Sequence, residues 1–319
     1  MVHRIVIPLK LASARCIARD IHELEFRDPR GAPLPAFSAG AHLTLRTPGG
    51  FLRKYSLCND PAENDRYVIA VKREASGRGG SVDLVDHAKV GDLIEASPPE
   101  NAFPLAPGAK GYLFIAGGIG ITPMMSMIRH IESTHPVKFN LYYLTRDKPS
   151  TAFLDELSGA DLRTKVKIHH DGGDPSRSFD LWPVLEKPGT SHIYCCGPRA
   201  LMDSVRDMAG HWPRAQVHFE SFLDAEQTRK ADNKAFRLRL ARSNALIEVA
   251  AGQSIIQAMR ERGFEAPTSC ESGTCGTCKT TLLEGEADHR DLVLMDEEQA
   301  TRIMICVSRA KSEELVIDL

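Results

Sequence analysis

"CESGTCGTC" (residues 270–278) places Cys270, Cys275 and Cys278 within one short stretch of a 319-residue chain that holds eight cysteines. Four readings compete for such a cluster: a disulfide pair, a zinc site, a thioredoxin-like redox pair and an iron–sulfur cluster. Zinc sites usually show two close pairs, but Cys275-Gly-Thr-Cys278 is followed by no second C-x2-C and no H-x3-H. A thioredoxin-like motif opens a helix after a strand and needs no third cysteine upstream. The pattern Cys270-x4-Cys275-x2-Cys278, with one distant cysteine at Cys306, has the spacing of a plant-type [2Fe–2S] site, where four thiolates hold two irons. Gly273 and Gly276 suit that chemistry, because a loop without Cβ atoms can turn its N–H groups toward the sulfides.

Around the loop, "FRLRLARSNALIEVAAGQSIIQAMRERG" reads as a β-hairpin over about 236–249 followed by a helix over about 254–262. "KTTLLEGEA" and "ELVIDL" supply further strands. This is the element order of a β-grasp ferredoxin, a one-electron carrier. The small polar residues of the loop predict a cluster close to the surface.

Composition sets the background. With 42% hydrophobic and 26% charged residues the chain reads as an ordinary soluble protein. A net charge of -2 and a pI near 6.6 give no basic field to gather nucleic acid. "MVHRIVIPLKLASARC" (1–16) alternates like a strand, and no apolar run reaches the length of a membrane span. A cytoplasmic monomer, in which disulfides are rare, is the expectation.

An electron carrier needs a source, which directs attention upstream. "DAEQTRKADNKAF" (224–236) is polar, lacks apolar periodicity and reads as a linker. Before it, "KGYLFIAGGIGITPMMSMIRHIES" gives an apolar strand, a glycine turn and a helix, and further strands and helices alternate up to "QVHFESF". Such alternation predicts a parallel sheet with helices on both faces. Before residue 105 the strands are short and separated by Gly, Pro, Asn and Asp, with "GSVDLVDHA" as the one convincing helix, which predicts an antiparallel barrel. The expected domains are therefore a β-barrel over 1–106, an α/β nucleotide domain over 107–225 and a ferredoxin domain over 233–319.

Three turns, "GGIGITP" (117–123), "HHDGGDP" (169–175) and "YCCGP" (194–198), fall where parallel strands end, the usual place for a ligand in an open α/β sheet. None alone rises above a tight strand-to-helix turn, since the full G-x-G-x-x-G fingerprint is missing. In the barrel, "RKYSLCND" (53–60) puts Arg53, Tyr55 and Ser56 on one strand, and "GRGGS" (77–81) leads into the helix with bare N–H groups able to cradle a phosphate. A half-buried strand with a snorkelling Arg and a flexible solvent loop are the plainer readings of these two segments. Cys16, Cys58 and Cys195 have no metal spacing and read as packing residues. The doublet His169-His170 reads as flanking the ribose site rather than binding metal.

Taken in order, Arg-x-Tyr-Ser, Gly-Gly-x-Gly-x-Thr-Pro and Cys-Gly-Pro resemble the ferredoxin–NADP reductase superfamily, and the fused C-terminal ferredoxin narrows the resemblance to one three-domain branch. It spans the whole chain. It implies an FMN barrel, an NADH domain and a [2Fe–2S] domain, serving a separate Rieske-type aromatic-ring oxygenase. By resemblance, FMN is held by Arg53, Lys54, Tyr55 and Ser56, by Ala70, Val71 and Lys72, by Gly79, Gly80, Ser81 and Val82 at the phosphate, and by Thr122 and Phe222. Lys54 departs from the small hydroxyl residue expected there, which puts its side-chain contact in doubt. NADH is assigned Gly117, Gly118, Asp171, Cys196, Gly197 and Pro198, with Tyr55, Ser56 and Cys196 nearest the reacting rings. Asp171 would accept hydrogen bonds from a ribose and repel a 2′-phosphate, with Asp174 as the alternative. The irons are assigned to Cys270, Cys275, Cys278 and Cys306. A stand-alone flavin reductase and a non-catalytic redox sensor are the alternatives from other classes.

Overall fold

The computed structural model describes residues 6–77, 79–134, 137–222 and 233–319. Most of the expected linker (224–232), Arg78 of the "GRGGS" segment and the first five residues lie outside the described residues. The chain divides into two compact units, Met1–His218 and Phe219–Leu319.

The first unit begins with β1 (Ile7–Ala18), β2 (Ile21–Arg27), β3 (His42–Arg46), β4 (Leu52–Ser56), β5 (Tyr67–Lys72), helix α1 (Gly80–His87) and β6 (Leu93–Ala96). The strands form an antiparallel sheet in the order β4-β3-β6-β1-β2-β5. Its two edges meet through an antiparallel bridge between Leu57 and Ile69, reinforced by the Cys58 N–H donating to Val68 O at 2.7 Å. The sheet therefore curls into a barrel, as the short turn-rich strands predicted. Leu9, Leu11, Phe26, Leu43, Leu45, Leu57 and Ile69 fill it.

Next come β7 (Gly111–Gly117), α2 (Ile121–Ser133), β8 (Lys138–Thr145), α3 (Leu154–Leu157), β9 (Val166–His170), α4 (Trp182–Leu185), β10 (His192–Cys196), α5 (Arg199–Met208) and β11 (Val217–Glu220). The sheet order is β11-β10-β7-β8-β9, and the pairs β10–β7, β7–β8 and β8–β9 are parallel. All seven residues of β7 are buried, because a central parallel strand is covered on both faces. Met124, Met125 and Met127 of α2 are wholly buried in a core that also takes in Ile21, Cys58, Ala70 and Phe103 from the barrel. A polar tie backs this seam: Arg129 of α2 donates to Cys58 O at 2.7 Å and pairs with Glu156 of α3 at 2.5 Å.

The second unit holds β12 (Phe236–Leu240), β13 (Ala245–Val249), α6 (Ile255–Glu261), β14 (Lys279–Glu284), β15 (Ala287–Asp288), α7 (Asp296–Gln299), β16 (Arg302–Met304), β17 (Arg309–Ala310) and β18 (Glu314–Ile317). Its sheet is mixed: β12 pairs antiparallel with β13 and parallel with β18, in the order β13-β12-β18-β14-β16. Helix α6 starts at Ser254, whose side chain accepts from Gln257 N in a capping box. Buried Arg309 donates to the carbonyls of Gln253, Lys234 and Ala250, stitching two loops to β17. Among the described residues no helix is long and apolar enough to cross a membrane.

Two imidazoles mark the edge of the parallel sheet. His192 Nδ1 and His218 Nε2 are 3.0 Å apart, and the His218 ring stacks on Tyr194 with centroids 4.4 Å apart. Burial, assisted by His192, pulls His218 down to about 4. The native state therefore resists a proton that the unfolded chain accepts near pH 6.5, so stability is full above that pH and falls as the pH drops toward 4. His218→Phe should flatten the slope of melting temperature against pH in this window, and an unchanged slope would assign it to other groups.

Candidate functional site

Strand alternation sorts the barrel residues. Arg53 and Tyr55 share one face of β4, while Lys54 turns its exposed side chain to the other and Ser56 is buried. Ser56 and Ala70 each stand one residue from the Leu57–Ile69 bridge, so the ends of β4 and β5 run side by side. Ala70 and Val71 are buried and Lys72 is exposed. The Tyr55 hydroxyl is buried without a hydrogen-bond partner among the described residues. Burial, opposed by Arg53 and assisted by Asp83, pushes the phenol up to about 12.

The phosphate cradle is built from glycines. Gly79 caps α1 in the left-handed region at φ 78°, and a Cβ on Gly80 would lie 2.5 Å from Arg53 Nε. The Arg53 guanidinium thus lies across bare backbone at the start of α1, where N–H groups lack helical partners. Ser81 Oγ accepts from Glu74 N at 3.1 Å, fastening the helix to the end of β5. An unpartnered phenol two residues along β4 from the arginine that crosses a glycine-lined helix start fits a flavin carrying a terminal phosphate. Phe222 follows β11 and is exposed.

In the parallel sheet, the turns after β7 and β10 press together. A Cβ on Gly117 would meet Pro198 Cδ at 2.6 Å, one on Gly197 would meet Gly117 Cα at 2.9 Å, and one on Gly120 would meet Cys196 O at 2.2 Å. Gly118, at φ 54°, has open space where its Cβ would be. Cys196 is fully buried at the end of β10, and Thr122 opens α2 with its hydroxyl donating to Ile119 O at 3.0 Å. The turn 118–120 lies against β5, so the expected flavin and nicotinamide residues are neighbours.

Asp171 ends β9: its N–H donates to Thr145 O at 3.2 Å and its Oδ1 accepts from Gly173 N at 2.6 Å. Asp174 spends Oδ1 on both the N–H and the hydroxyl of Ser176, which hold its carboxyl below the usual range. Thr145 Oγ1 lies 2.8 Å from His170 Nδ1, and His169 Nε2 lies 2.7 Å from Arg177 O, so both imidazoles are engaged within this region.

In the second unit the four thiols meet as two pairs. Cys270 contacts Cys275, and Cys278 contacts Cys306, the partner thiol lowering Cys270 to about 3 and lowering Cys278 while Cys275 and Cys306 are raised. Two pairs of thiols match in number the four ligands of a plant-type cluster, although among the described residues no three of them gather into one metal-holding group. Ser272 N–H donates to Cys270 Sγ at 3.4 Å. Gly273, at φ 75°, sits where a Cβ would be 2.7 Å from Val307 Cγ2, so no other residue fits without displacing the segment that carries Cys306. Cys270 and Cys275 are half-buried whereas Cys278 and Cys306 are buried, leaving one side of the group near the surface.

Of the three cysteines read as packing, Cys58 and Cys195 are buried as expected. Cys16 is exposed, a correction that follows from its outward position on β1. Thr47 and Asp83 join the hairpin before β4 to α1 and were not singled out in the sequence. The Thr-Pro-Gly-Gly turn at 47–50, two residues ahead of "RKYS", was the available signal.

Barrel, parallel sheet and four-thiol loop in one chain define a modular pyridine-nucleotide reductase with its own ferredoxin domain. Residues 114–207 match the oxidoreductase NAD-binding domain model and residues 238–311 the 2Fe-2S iron-sulfur cluster binding domain model. The chain is 56% identical to phthalate dioxygenase reductase of Burkholderia cepacia, over 98% of this chain and 97% of that protein. It is 52% identical to the phthalate 4,5-dioxygenase oxygenase reductase subunit of Pseudomonas putida, over 98% and 96%. A solved phthalate dioxygenase reductase, described as a modular structure for electron transfer from pyridine nucleotides to [2Fe-2S], superimposes with a TM-score of 0.73, covering 98% of each chain. The chain belongs to the phthalate dioxygenase reductase family.

Cys306→Ala should remove the visible iron–sulfur absorption and most of the iron while the flavin stays bound, and Cys16→Ala should change neither. Two irons and an unaltered spectrum in Cys306→Ala would reject the ligand set.

Proposed function

We propose that this protein is the NADH-dependent reductase component of a Rieske-type aromatic-ring oxygenase, with phthalate dioxygenase the best-supported partner system. The observation that carries the reading is the combination, in one chain, of paired glycine turns, a glycine cradle crossed by Arg53 with the unsatisfied Tyr55 hydroxyl on the same strand, and four thiols in two pairs. The 56% identity along the whole chain supports it. Bound FMN would supply the conversion of a two-electron hydride into single electrons for the [2Fe–2S] cluster.

This chain's residues supply placement. Arg53 and the N–H groups of Gly79, Gly80, Ser81 and Val82 would hold the phosphate, and Tyr55, Ser56 and the backbone of Lys54, Ala70, Val71 and Lys72 would line the ring, with Thr122 completing the site. Gly117, Gly118, Gly197 and Pro198 would let the nicotinamide nucleotide approach bare backbone, beside Cys196. Asp171 would be the acceptor for the adenosine ribose, with Asp174 as the alternative, each carboxylate already accepting from its own turn. Cys270, Cys275, Cys278 and Cys306 would hold the irons. Plant-type clusters sit at about −400 mV and Rieske centres at about −150 to +300 mV, so electrons run outward to the oxygenase. The half-buried side of the thiol loop is the exit, in a transient contact made by a cytoplasmic monomer.

The test uses full-length protein. Wild type should drive oxygenase turnover with NADH, whereas Cys306→Ala should still reduce ferricyanide but support no turnover. Equal turnover by both would make the flavin the donor and the ferredoxin unit dispensable. Separately, Asp171→Ala should narrow the preference for NADH over NADPH by about 1–3 kcal/mol, seen in the ratio of kcat/KM values. An unchanged ratio would move ribose recognition elsewhere.

A further inference from the structure

The turn that precedes β4 is anchored to the helix of the phosphate cradle. Thr47 is buried and organises the turn: its N–H donates to Phe51 O at 2.8 Å, its carbonyl accepts from Gly50 N at 2.8 Å, and its Oγ1 accepts from Phe51 N at 3.2 Å. The one hydroxyl proton is left for Asp83, on the first turn of α1, whose carboxyl is held below its usual range by the Thr47 side chain and then by the Gly49 N–H. The Asp83 carboxylate also accepts from Gly49 N at 2.6 Å and lies 2.8 Å from His87 Nδ1. A Cβ on Gly49 would stand 2.9 Å from that carboxylate, so the backbone approaches closely at this point.

The clamp reaches the cradle through Phe51. Its ring lies 3.6 Å from where a Cβ of Gly79 would be, and the Arg53 guanidinium sits 5.3 Å from the ring centroid. Arg53 in turn crosses Gly80. A carboxylate beside a phosphate-binding helix start would repel the ligand if left bare. Here its oxygens face the hairpin and are taken up by donors.

We propose that Asp83 and Thr47 are positioning residues for the flavin phosphate, holding Phe51 and Arg53 over Gly79 and Gly80 so that the cradle is formed before the cofactor arrives. The inference rests on the FMN reading above. Neither residue touches the ligand; they act through Arg53 and the turn.

Because the clamp serves the phosphate alone, the comparison of FMN with riboflavin isolates it. Cofactor-stripped protein is titrated with each, following the quenching of flavin fluorescence. Thr47→Val, which keeps the shape and removes the hydroxyl, should weaken FMN binding roughly tenfold or more while riboflavin affinity stays within about twofold; Asp83→Ala should do the same. Thr47→Ser restores the donor and should bind FMN as wild type does. A parallel loss for FMN and riboflavin, or no loss for either, overturns the proposal and leaves the clamp a general structural tie. Should Asp83→Ala fail to fold, the Thr47→Val and Thr47→Ser pair decides alone. If wild type itself takes up no FMN, the flavin reading falls and the clamp with it, which is distinct from a clamp variant failing.

Discussion

The core shared by the barrel and the parallel sheet is the constraint on which the first unit depends. Ile21, Cys58, Ala70 and Phe103 enter it from the barrel and Ile121, Met124, Met125 and Met127 from the sheet. Apolar contact of this kind is non-directional and would tolerate sliding. Two features remove that freedom: Arg129 spans from α2 to Cys58 O, and a Cβ on Gly40 would press to 2.9 Å from Met127 Cε of α2. The result is that β5 lies against the turn 118–120 as a consequence of core packing, before any ligand is present.

Much of this was readable in advance because the signals are periodic or crowded. The four cysteines had to agree in spacing, and their meeting as two pairs follows from a chain reversal between Cys278 and Cys306 that the strand pattern already implied. The wholly apolar β7 and the alternating β4 announced a parallel sheet and a barrel for the same reason: a strand covered on both faces and a strand covered on one face need different side chains. The short helices α3 and α4 were not told apart from strands in advance, and their four-residue lengths reflect tertiary packing rather than propensity.

What stayed hidden was polar and long-range. Nothing in the local sequence says that Asp83 accepts from Gly49, thirty-four residues away, or that Arg309 caps loops near 234 and 250. Cys16 misled because a cysteine carries no mark of its strand face, and β1, interrupted by register shifts, breaks the alternation that would have placed it outward. The local sequence does not choose between Asp171 and Asp174 either, and each carboxylate accepts from its own turn.

The second unit keeps its apolar interior to itself: every residue of that core falls between Phe236 and Leu319. Damage is therefore compartmentalised. Oxidants that strip iron from the thiol loop would loosen one interior and leave the other intact. The surviving portion would go on consuming reduced nicotinamide with nowhere to send the electrons except to dioxygen.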